Sequence, residues 1–196
     1  LKMYVDETVL NFMDTREYEY SIMTNEIVEA SVVLIDICSF TAISENEKPD
    51  DVVKLLNQYF DVMVKEIIHQ GGFVDKFIGD AIMAVFRGDY HLDRALDACL
   101  AIRNEIAKLP EVNEHVKFRP NVSIGVNSGE LVSGNIGSVS LRRLDYTVIG
   151  DTVNVCARIE ALAGAHAKDR HATVLVSGEV VEAVGEAFVF ESIGDQ

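Results

Sequence analysis

Two aspartates follow apolar runs of the kind found in buried strands. Asp36 ends the run that begins at Ser31, and Asp80 lies at the turn between two further apolar runs. If these strands are neighbours in one sheet, the two carboxylates meet at one edge, where their oxygens suit a hard divalent cation such as Mg²⁺. The alternative is that each aspartate only stabilises the turn that follows it.

The residues after Asp36 form a short connection to a helical segment. Backbone N–H groups at such a helix start can face an anion. An ordinary strand-to-helix connection is the alternative. The connection consists of Ile37, Cys38, Ser39, Phe40 and Thr41.

Asn154 and Arg158 are four residues apart on a predicted helix that Asp151 could cap, which places both on one face. A planar, permanently charged guanidinium beside an amide is suited to stabilising a phosphoryl group during its transfer. A solvated surface arginine with an asparagine near the helix start is the alternative, and these two residues alone do not decide between them.

Several other catalytic classes lack their sequence signatures. The chain has no Gly-x-Ser-x-Gly elbow and no Gly-x-x-x-x-Gly-Lys-Ser/Thr loop. Its five histidines share no metal-ligand spacing, which disfavours a histidine-based zinc site.

Lys76 lies within a predicted strand, where a lysine taken alone is more typical of an edge or surface position.

The elements that must position these residues alternate long helices with strand hairpins. One helix is predicted from Pro49 to a stop at Gly71-Gly72, and a second from about Asp93 to Ala107. The order β, α, β-hairpin, α, β-hairpin, α, β predicts the α+β class, with an antiparallel or mixed sheet covered by helices. The other predicted elements are hairpins at 73–78/81–86 and 118–126/131–136, a helix at 151–163, a strand at 174–177, and a short helix and terminal strand after it.

Composition bounds the class of protein. The chain has 196 residues, with 17 basic and 32 acidic side chains and a net charge of −15, which argues against a nucleic-acid partner. No apolar stretch is long enough to cross a bilayer, so we expect no membrane contact by this segment. Cys38, Cys99 and Cys156 lack any Cys-x-x-Cys pairing, which predicts a reducing, cytoplasmic setting.

The first 28 residues differ from the rest of the chain. Apolar side chains among acids predict a short amphipathic helix and an acidic linker over 1–28, followed by one folded domain over 29–196. Because the chain begins at Leu1 without a leader pattern, we expect it to be a piece excised from a longer protein. We expect the removed part to hold a sensor or a membrane anchor.

Taken together, three segments resemble the catalytic domain of class III nucleotidyl cyclases over roughly residues 30–191. The resemblance implies a ferredoxin-like βαββαβ core with a C-terminal αβ extension, so that 29–196 is expected to be the catalytic domain. It also implies a homodimer in which each active site contains residues of both chains. The three segments are Asp36-Ile37-Cys38-Ser39-Phe40-Thr41, Phe77-Ile78-Gly79-Asp80-Ala81 and Thr152-Val153-Asn154-Val155-Cys156-Ala157-Arg158.

The resemblance also implies a role for each matching residue. One subunit would hold two Mg²⁺ or Mn²⁺ ions and the triphosphate, while the other would read the base, orient the ribose and stabilise the pentavalent phosphorus. These implied roles fall on Asp36, Asp80 and the Ile37 carbonyl for the metals, the turn Cys38, Ser39, Phe40 and Thr41 for the phosphates, Lys76 and Thr147 for the base, Asn154 for the ribose, and Arg158 for the phosphorus.

The implied reaction is attack of a ribose 3′-hydroxyl on the α-phosphate, which releases pyrophosphate and forms a 3′,5′-cyclic monophosphate used in intracellular signalling. One metal would lower the pKa of the hydroxyl and the other would neutralise pyrophosphate. Asp36, substrate phosphate and water stay open as proton acceptors. The cations would also offset the repulsion between an acidic protein and a polyanionic nucleotide.

ATP is the expected substrate. Adenine offers an acceptor at N1 and a donor amine at N6, which a Lys76 ammonium and a Thr147 hydroxyl can satisfy. Guanine has donors at N1 and N2 that need a carboxylate, and the Lys76 position supplies none. A guanylate cyclase and a catalytically inactive regulatory domain are the alternatives.

Three departures from the family pattern qualify the resemblance. Thr147 replaces a frequent aspartate, a change associated in one subclass of adenylate cyclases with activation by bicarbonate, so bicarbonate regulation is a hypothesis here. Ser39 replaces a frequent glycine, which is tolerable unless that residue needs a positive φ. No basic residue clearly matches the terminal-phosphate ligand, since Thr173 falls about there, with Lys168 and Arg170 just upstream.

Overall fold

The computed structural model describes residues 25–109, 120–138, 143–167 and 171–194. Within these ranges six strands and five α-helices alternate along the chain. The strands are β1 Glu26–Ile37, β2 Phe73–Ile78, β3 Ala81–Arg87, β4 Val122–Ser138, β5 Arg143–Ile149 and β6 Ala172–Val176. The helices are α1 Phe40–Asn46, α2 Pro49–His69, α3 His91–Ile106, α4 Asp151–His166 and α5 Gly178–Val184.

The strands form one mixed sheet in the order β2-β3-β1-β4-β5, and β6 also pairs with β4. All pairs are antiparallel except β4 with β6, which is parallel. The order β4-β1-β3-β2, with α1 and α2 between β1 and β2 and α3 between β3 and β4, is the ferredoxin-like βαββαβ arrangement. The predicted α+β class with its C-terminal αβ extension is therefore confirmed.

Helix α2 shows why the local sequence folds as it does. Pro49 occupies its first turn, where a missing N–H costs no hydrogen bond, and Asp50 follows, where the positive end of the helix dipole favours an acid. Leu55, Tyr59 and Met63 recur every four residues and are buried. This stripe packs the helix against one face of the sheet.

Two apolar clusters fill the two faces of the sheet. The larger one lies between the sheet and helices α2 and α3, around Ile35, Phe86 and Ile102, all with no exposed surface. The smaller one lies on the opposite face and includes Val32 and Cys156 of α4. Asp36 shares the strand face of Val32, because residues four apart on a strand lie on one side. The predicted metal ligands therefore lie on the α4 side.

The predicted hairpin at 118–126/131–136 is wrong over the described part. Residues 127–130 continue through β4 because β1, at twelve residues, pairs with them all: Ser31 lies opposite Ser128 and Glu29 opposite Glu130. The Asn127-to-Glu130 segment was predicted as a turn from its composition, but its backbone groups find partners on the long neighbouring strand. Residues 118 and 119 lie outside the described ranges.

The two ends of the chain also differ from expectation. Strand β1 begins at Glu26, so the last residues of the predicted linker belong to the sheet, while residues 1–24 lie outside the described ranges. The predicted strand after the last helix is wrong as far as residue 194, because a 3₁₀ turn at Gly185–Ala187 is followed by irregular chain. Across the described residues, no helix combines the length and apolar character needed to cross a bilayer.

Candidate active site

Asp36 and Asp80 meet at one end of the central strands. Asp36 of β1 lies opposite Ala81 of β3, and Asp80 directly precedes Ala81 in the tight turn between β2 and β3. The two carboxyl groups are close enough to share a hydrogen bond. The sequence prediction that these two carboxylates meet at one edge is therefore confirmed.

The surroundings of Asp36 disfavour its charged form. Burial, the negative charges of Asp80 and Glu160, and the hydrogen bond with Asp80 raise the pKa of Asp36 from 3.8 to about 7. A carboxylate held among like charges and partly removed from water gains when a cation or a proton arrives. The site therefore has an excess of negative charge to offer to a cation.

Glu160 of α4 lies near Asp36 and Asp80 and interacts with them through its charge, and the sequence analysis did not identify it. Ser123 Oγ of β4 donates to its Oε1 at 2.6 Å. Burial and the charge of Asp80 raise the pKa of Glu160, while the Ser123 hydrogen bond opposes that shift. Its position four residues after the buried Cys156 was the available signal, because that spacing places an acid at the margin of the apolar stripe of α4.

The close approach of α4 to the sheet depends on Gly125. A Cβ atom added there would lie 2.5 Å from the backbone nitrogen of Glu160 and 2.7 Å from the carbonyl oxygen of Cys156. Only a residue without a side chain lets the helix backbone reach β4 at this point. The contact fixes where Glu160 stands relative to Asp36.

The side chains of Asp36 and Asp80 suit a divalent cation. Asp36 and Asp80 present carboxylate oxygens, the ligands that Mg²⁺ prefers, and their mutual repulsion would be relieved by it. In the part of the chain that the structure describes, no group of three or more His, Cys, Asp or Glu side chains is arranged as a metal cluster. Two carboxylates still fit, because Mg²⁺ commonly completes its shell with water and substrate phosphates.

The predicted phosphate turn contains a strained residue. Ser39 adopts φ 61° and ψ 21°, the left-handed conformation that favours glycine. A serine at this position therefore costs free energy of folding compared with the glycine that is frequent here in the family. The Cys38 N–H donates to the Asn121 carbonyl at 2.8 Å and is therefore occupied, whereas the amides of Phe40 and Thr41 precede the first hydrogen bond of α1, from Ile43 to the Ser39 carbonyl.

Lys76 and Thr147 come together through Asp75, a residue that the sequence analysis did not single out. Thr147 Oγ1 of β5 donates to Asp75 Oδ2 of β2 at 2.8 Å, and Lys76 Nζ lies 3.5 Å from the same oxygen. Strands β2 and β5 are at opposite ends of the strand order, so the sheet curls far enough to bring its two end strands into contact. The side chain of Asp75 is only 1% exposed.

Asn154 and Arg158 lie on α4 as predicted, and both are exposed. The helix begins one residue earlier than a cap at Asp151 would require, since Gly150 is the capping residue and Asp151 opens the first turn. The same helix thus carries Glu160 beside its own chain's aspartates and presents Asn154 and Arg158 to the outside.

The terminal-phosphate ligand is not found among the described residues. Thr173 is buried in β6, opposite Ser123, and its hydroxyl has no hydrogen-bond partner in the described part of the chain. Lys168 and Arg170 lie outside the described ranges.

Comparison with known proteins places this geometry among the nucleotide cyclases. Residues 22–195 match the family described as the adenylate and guanylate cyclase catalytic domain. An adenylate cyclase of Anabaena cylindrica is 37% identical over 156 residues, which cover 77% of this chain and 30% of that protein. The chain spans less than a third of the length of the curated relatives it matches.

Solved structures give the same result. A bacterial light-regulated adenylyl cyclase superposes with a TM-score of 0.78 at 28% identity, over 100% of this chain and 58% of that one. The guanylyl cyclase Cya2 superposes with a TM-score of 0.64 at 30% identity, over 84% of this chain and 82% of the other. Both substrate classes therefore occur among the similar structures.

Proposed function

The chain belongs to the adenylate and guanylate cyclase catalytic domain family, and on that premise we propose that it converts ATP to 3′,5′-cyclic AMP and pyrophosphate as a homodimer in signal transduction. The observation that carries the proposal is the pair Asp36 and Asp80, in hydrogen-bond contact at one end of the central strands. The base-reading pair Lys76 and Thr147 favours adenine within it.

The residues divide the work between two chains. Asp36 and Asp80, with the Ile37 carbonyl, would hold two Mg²⁺ ions beside the triphosphate. When bound, these ions would lower the pKa of the ribose 3′-hydroxyl and neutralise the leaving pyrophosphate. The exposed Arg158 of the other chain would offset the charge on the α-phosphorus, and Asn154 would orient the ribose.

The exposure of Asn154 and Arg158 supports a composite site. A solvated surface arginine is the ordinary alternative, but an exposed guanidinium beside an amide on one helical face is also accessible to a second chain. Residues that complete the site of another chain must project in this way. In this proposal, one subunit supplies Asp36 and Asp80 to a site, and the other subunit supplies Asn154 and Arg158 to the same site.

The choice of adenine rests on hydrogen-bond chemistry. The Lys76 ammonium can donate to N1 of adenine, and the Thr147 hydroxyl can accept from the N6 amine. Guanine presents an N1–H that would face the ammonium, which cannot accept it. A guanylate cyclase remains the second candidate, because the guanylyl cyclase Cya2 is among the similar structures.

The test is product analysis by mass spectrometry after incubation of the purified protein with ATP or GTP and Mg²⁺ or Mn²⁺. We expect cyclic AMP from ATP, and its loss by at least a hundredfold in Asp80→Ala. Asp97→Ala is the matched control, because Asp97 is exposed on α3, and it should keep the parental rate.

Other outcomes decide between the remaining functions. Cyclic GMP as the main product would establish the guanylate cyclase instead. No cyclic product from either nucleotide, at protein concentrations where dimers form, would reject catalysis by this chain alone and favour a regulatory domain.

Regulation by bicarbonate belongs to the same proposal and follows from Thr147. Cyclic AMP formation is to be compared in bicarbonate and in matched chloride at one fixed pH. A higher rate in bicarbonate supports the regulation, and equal rates reject it.

A further inference from the structure

Asp75 is a buried carboxylate with an unusual set of neighbours. Its Oδ2 accepts a hydrogen bond from Thr147 Oγ1 at 2.8 Å and lies 3.5 Å from Lys76 Nζ, while its Oδ1 has no partner among the described residues. Burying a carboxylate with one unsatisfied oxygen costs free energy, so stability does not explain this residue. Its side-chain contacts are with the two residues that would read the base, and the backbone of Val148 also interacts with it.

A bulge in β2 brings Asp75 to these residues. Val74 lies opposite Ala84 and Lys76 lies opposite Met83, so Asp75 is the extra residue between two consecutive pairs. Ala84 and Met83 point to opposite faces of β3, and they belong to different apolar clusters. The bulge therefore turns Lys76 away from the face of Val74 and onto the face of Asp75.

The hydrogen bond from Thr147 fixes what its hydroxyl can offer to a base. A threonine hydroxyl has one hydrogen and two lone pairs. Because the hydrogen points to Asp75, only lone pairs remain for a ligand. Such an oxygen can accept a hydrogen bond from the N6 amine of adenine. The O6 carbonyl of a keto purine is itself an acceptor, so it repels the lone pairs of this oxygen.

We propose that Asp75 is a positioning residue that makes the site selective for an amino purine, by holding the Thr147 hydroxyl as an acceptor. The inference rests on the proposed adenylate cyclase function and extends it to a residue that does not touch the base. Without Asp75 the hydroxyl can rotate and donate to O6, so the discrimination between amino and keto purines falls.

The test compares ATP with inosine triphosphate, which replaces the N6 amine by O6 and adds an N1–H. The quantity measured is the ratio of kcat/KM for ATP to kcat/KM for inosine triphosphate. Asp75→Ala is expected to lower this ratio by about tenfold or more, the size of one mispaired buried group. Asp75→Asn keeps an acceptor oxygen and should stay within about threefold of the parent.

A double-mutant cycle tests whether Asp75 acts through Thr147. Thr147→Val removes the hydroxyl and should lower the ratio by itself, while adding Asp75→Ala to it should change the ratio no further. A general loosening of the fold would lower kcat/KM for ATP and for inosine triphosphate by the same factor, and the ratio would stay unchanged. Asp97→Ala again serves as the control with the parental ratio.

Two results would overturn the inference while leaving the adenylate cyclase proposal intact. One is an active Asp75→Ala variant with the parental ratio, and the other is a further fall of the ratio when Asp75→Ala is added to Thr147→Val. If Asp75→Ala does not fold, Asp75→Ser, whose hydroxyl is too short to replace the carboxylate, takes its place with the same expected loss. A parent that cyclises neither ATP nor inosine triphosphate would overturn both proposals.

Discussion

Asp36 illustrates how a reactive residue lowers the stability of its own fold. Its pKa of about 7 lies above the ordinary 3.8, so the folded protein binds this proton more tightly than the unfolded chain does. The contribution of this group to the free energy of unfolding is therefore greatest at low pH and declines as the pH rises from about 4 to about 7. Above that range the folded state carries the full cost of the charged carboxylate.

Asp36→Asn is expected to raise the melting temperature at pH 8 in the presence of EDTA, because it removes a charge that faces Asp80 and Glu160. The advantage over the parent should shrink at pH 5, where the parental Asp36 is already protonated. Thermal denaturation at the two pH values measures both effects. Asp97→Asn, on the exposed surface of α3, should show no such pH-dependent gain.

The Asp36→Asn variant also tests the cation site without an activity assay. Mg²⁺ or Mn²⁺ should raise the melting temperature of the parent at pH 8, since a cation bound only to the folded state stabilises it. Asp36→Asn should lose most of this rise. An undiminished rise in the variant would mean that the cation binds elsewhere.

Ser39 offers a second prediction at the scale of one residue. Because its φ of 61° is left-handed, Ser39→Gly should raise the free energy of unfolding by about 1 kcal/mol. Ser44→Gly, in the helix that follows, should lower it by a similar amount, because glycine weakens helices. Urea denaturation of both variants is the measurement, and effects of equal sign would contradict the assignment of strain to Ser39.

The residues that the sequence identified and those that it missed differ in how they reach the site. Asp36 and Asp80 follow strands that are readable from local pattern, so their meeting was predictable. Asp75 and Glu160 reach the site through a bulge and through a close helix contact, which depend on β3 and β4 rather than on neighbours in sequence. Local pattern does not contain that information.

At the scale of elements, the predictions succeeded where nearby residues in sequence determine the secondary structure. They failed where a neighbouring strand determines it. Helix α2 carries its own start signal and apolar stripe, and the β2–β3 hairpin has its turn residues in place. The 127–130 segment carries turn residues too, but the length of β1 keeps it extended. Tertiary pairing overrode local propensity there.

The contact between α4 and β4 can be tested by adding one methyl group. Gly125→Ala places a Cβ 2.5 Å from the Glu160 nitrogen, so the helix must move, at a cost of roughly 1–3 kcal/mol in the free energy of unfolding. Because the helix carries Asn154 and Arg158, the rate of cyclisation should fall by roughly ten- to a hundredfold.

Gly164→Ala on the same helix is the matched control for that experiment. The nearest atom to its added Cβ is Ser123 Oγ at 3.5 Å, an ordinary contact. Alanine favours helix, so this variant should be as stable as the parent or more stable by up to about 1 kcal/mol, with the parental rate. Urea denaturation and product formation are measured together, and equal behaviour of the two variants would contradict a tight contact at Gly125.

At the scale of the whole molecule, α4 is the element that would connect the two halves of the reaction. Glu160 lies beside Asp36 and Asp80 of its own chain, while Asn154 and Arg158 are exposed on the same helix. In a homodimer, one rigid helix would then border its own site and complete the other. This arrangement requires that no single chain be active.

Mixing two inactive variants tests that requirement. Asp36→Ala and Arg158→Ala should each be inactive alone, but an equal mixture forms heterodimers in which one of the two sites keeps both residues. Random exchange makes about half of the dimers mixed, so the mixture should regain about a quarter of the parental activity per chain. A mixture of Asp36→Ala and Asp80→Ala chains should regain no activity, because every site of every dimer then lacks one of the two aspartates. Recovery in that second mixture, or none in the first, would show that the site is not shared between chains in this way.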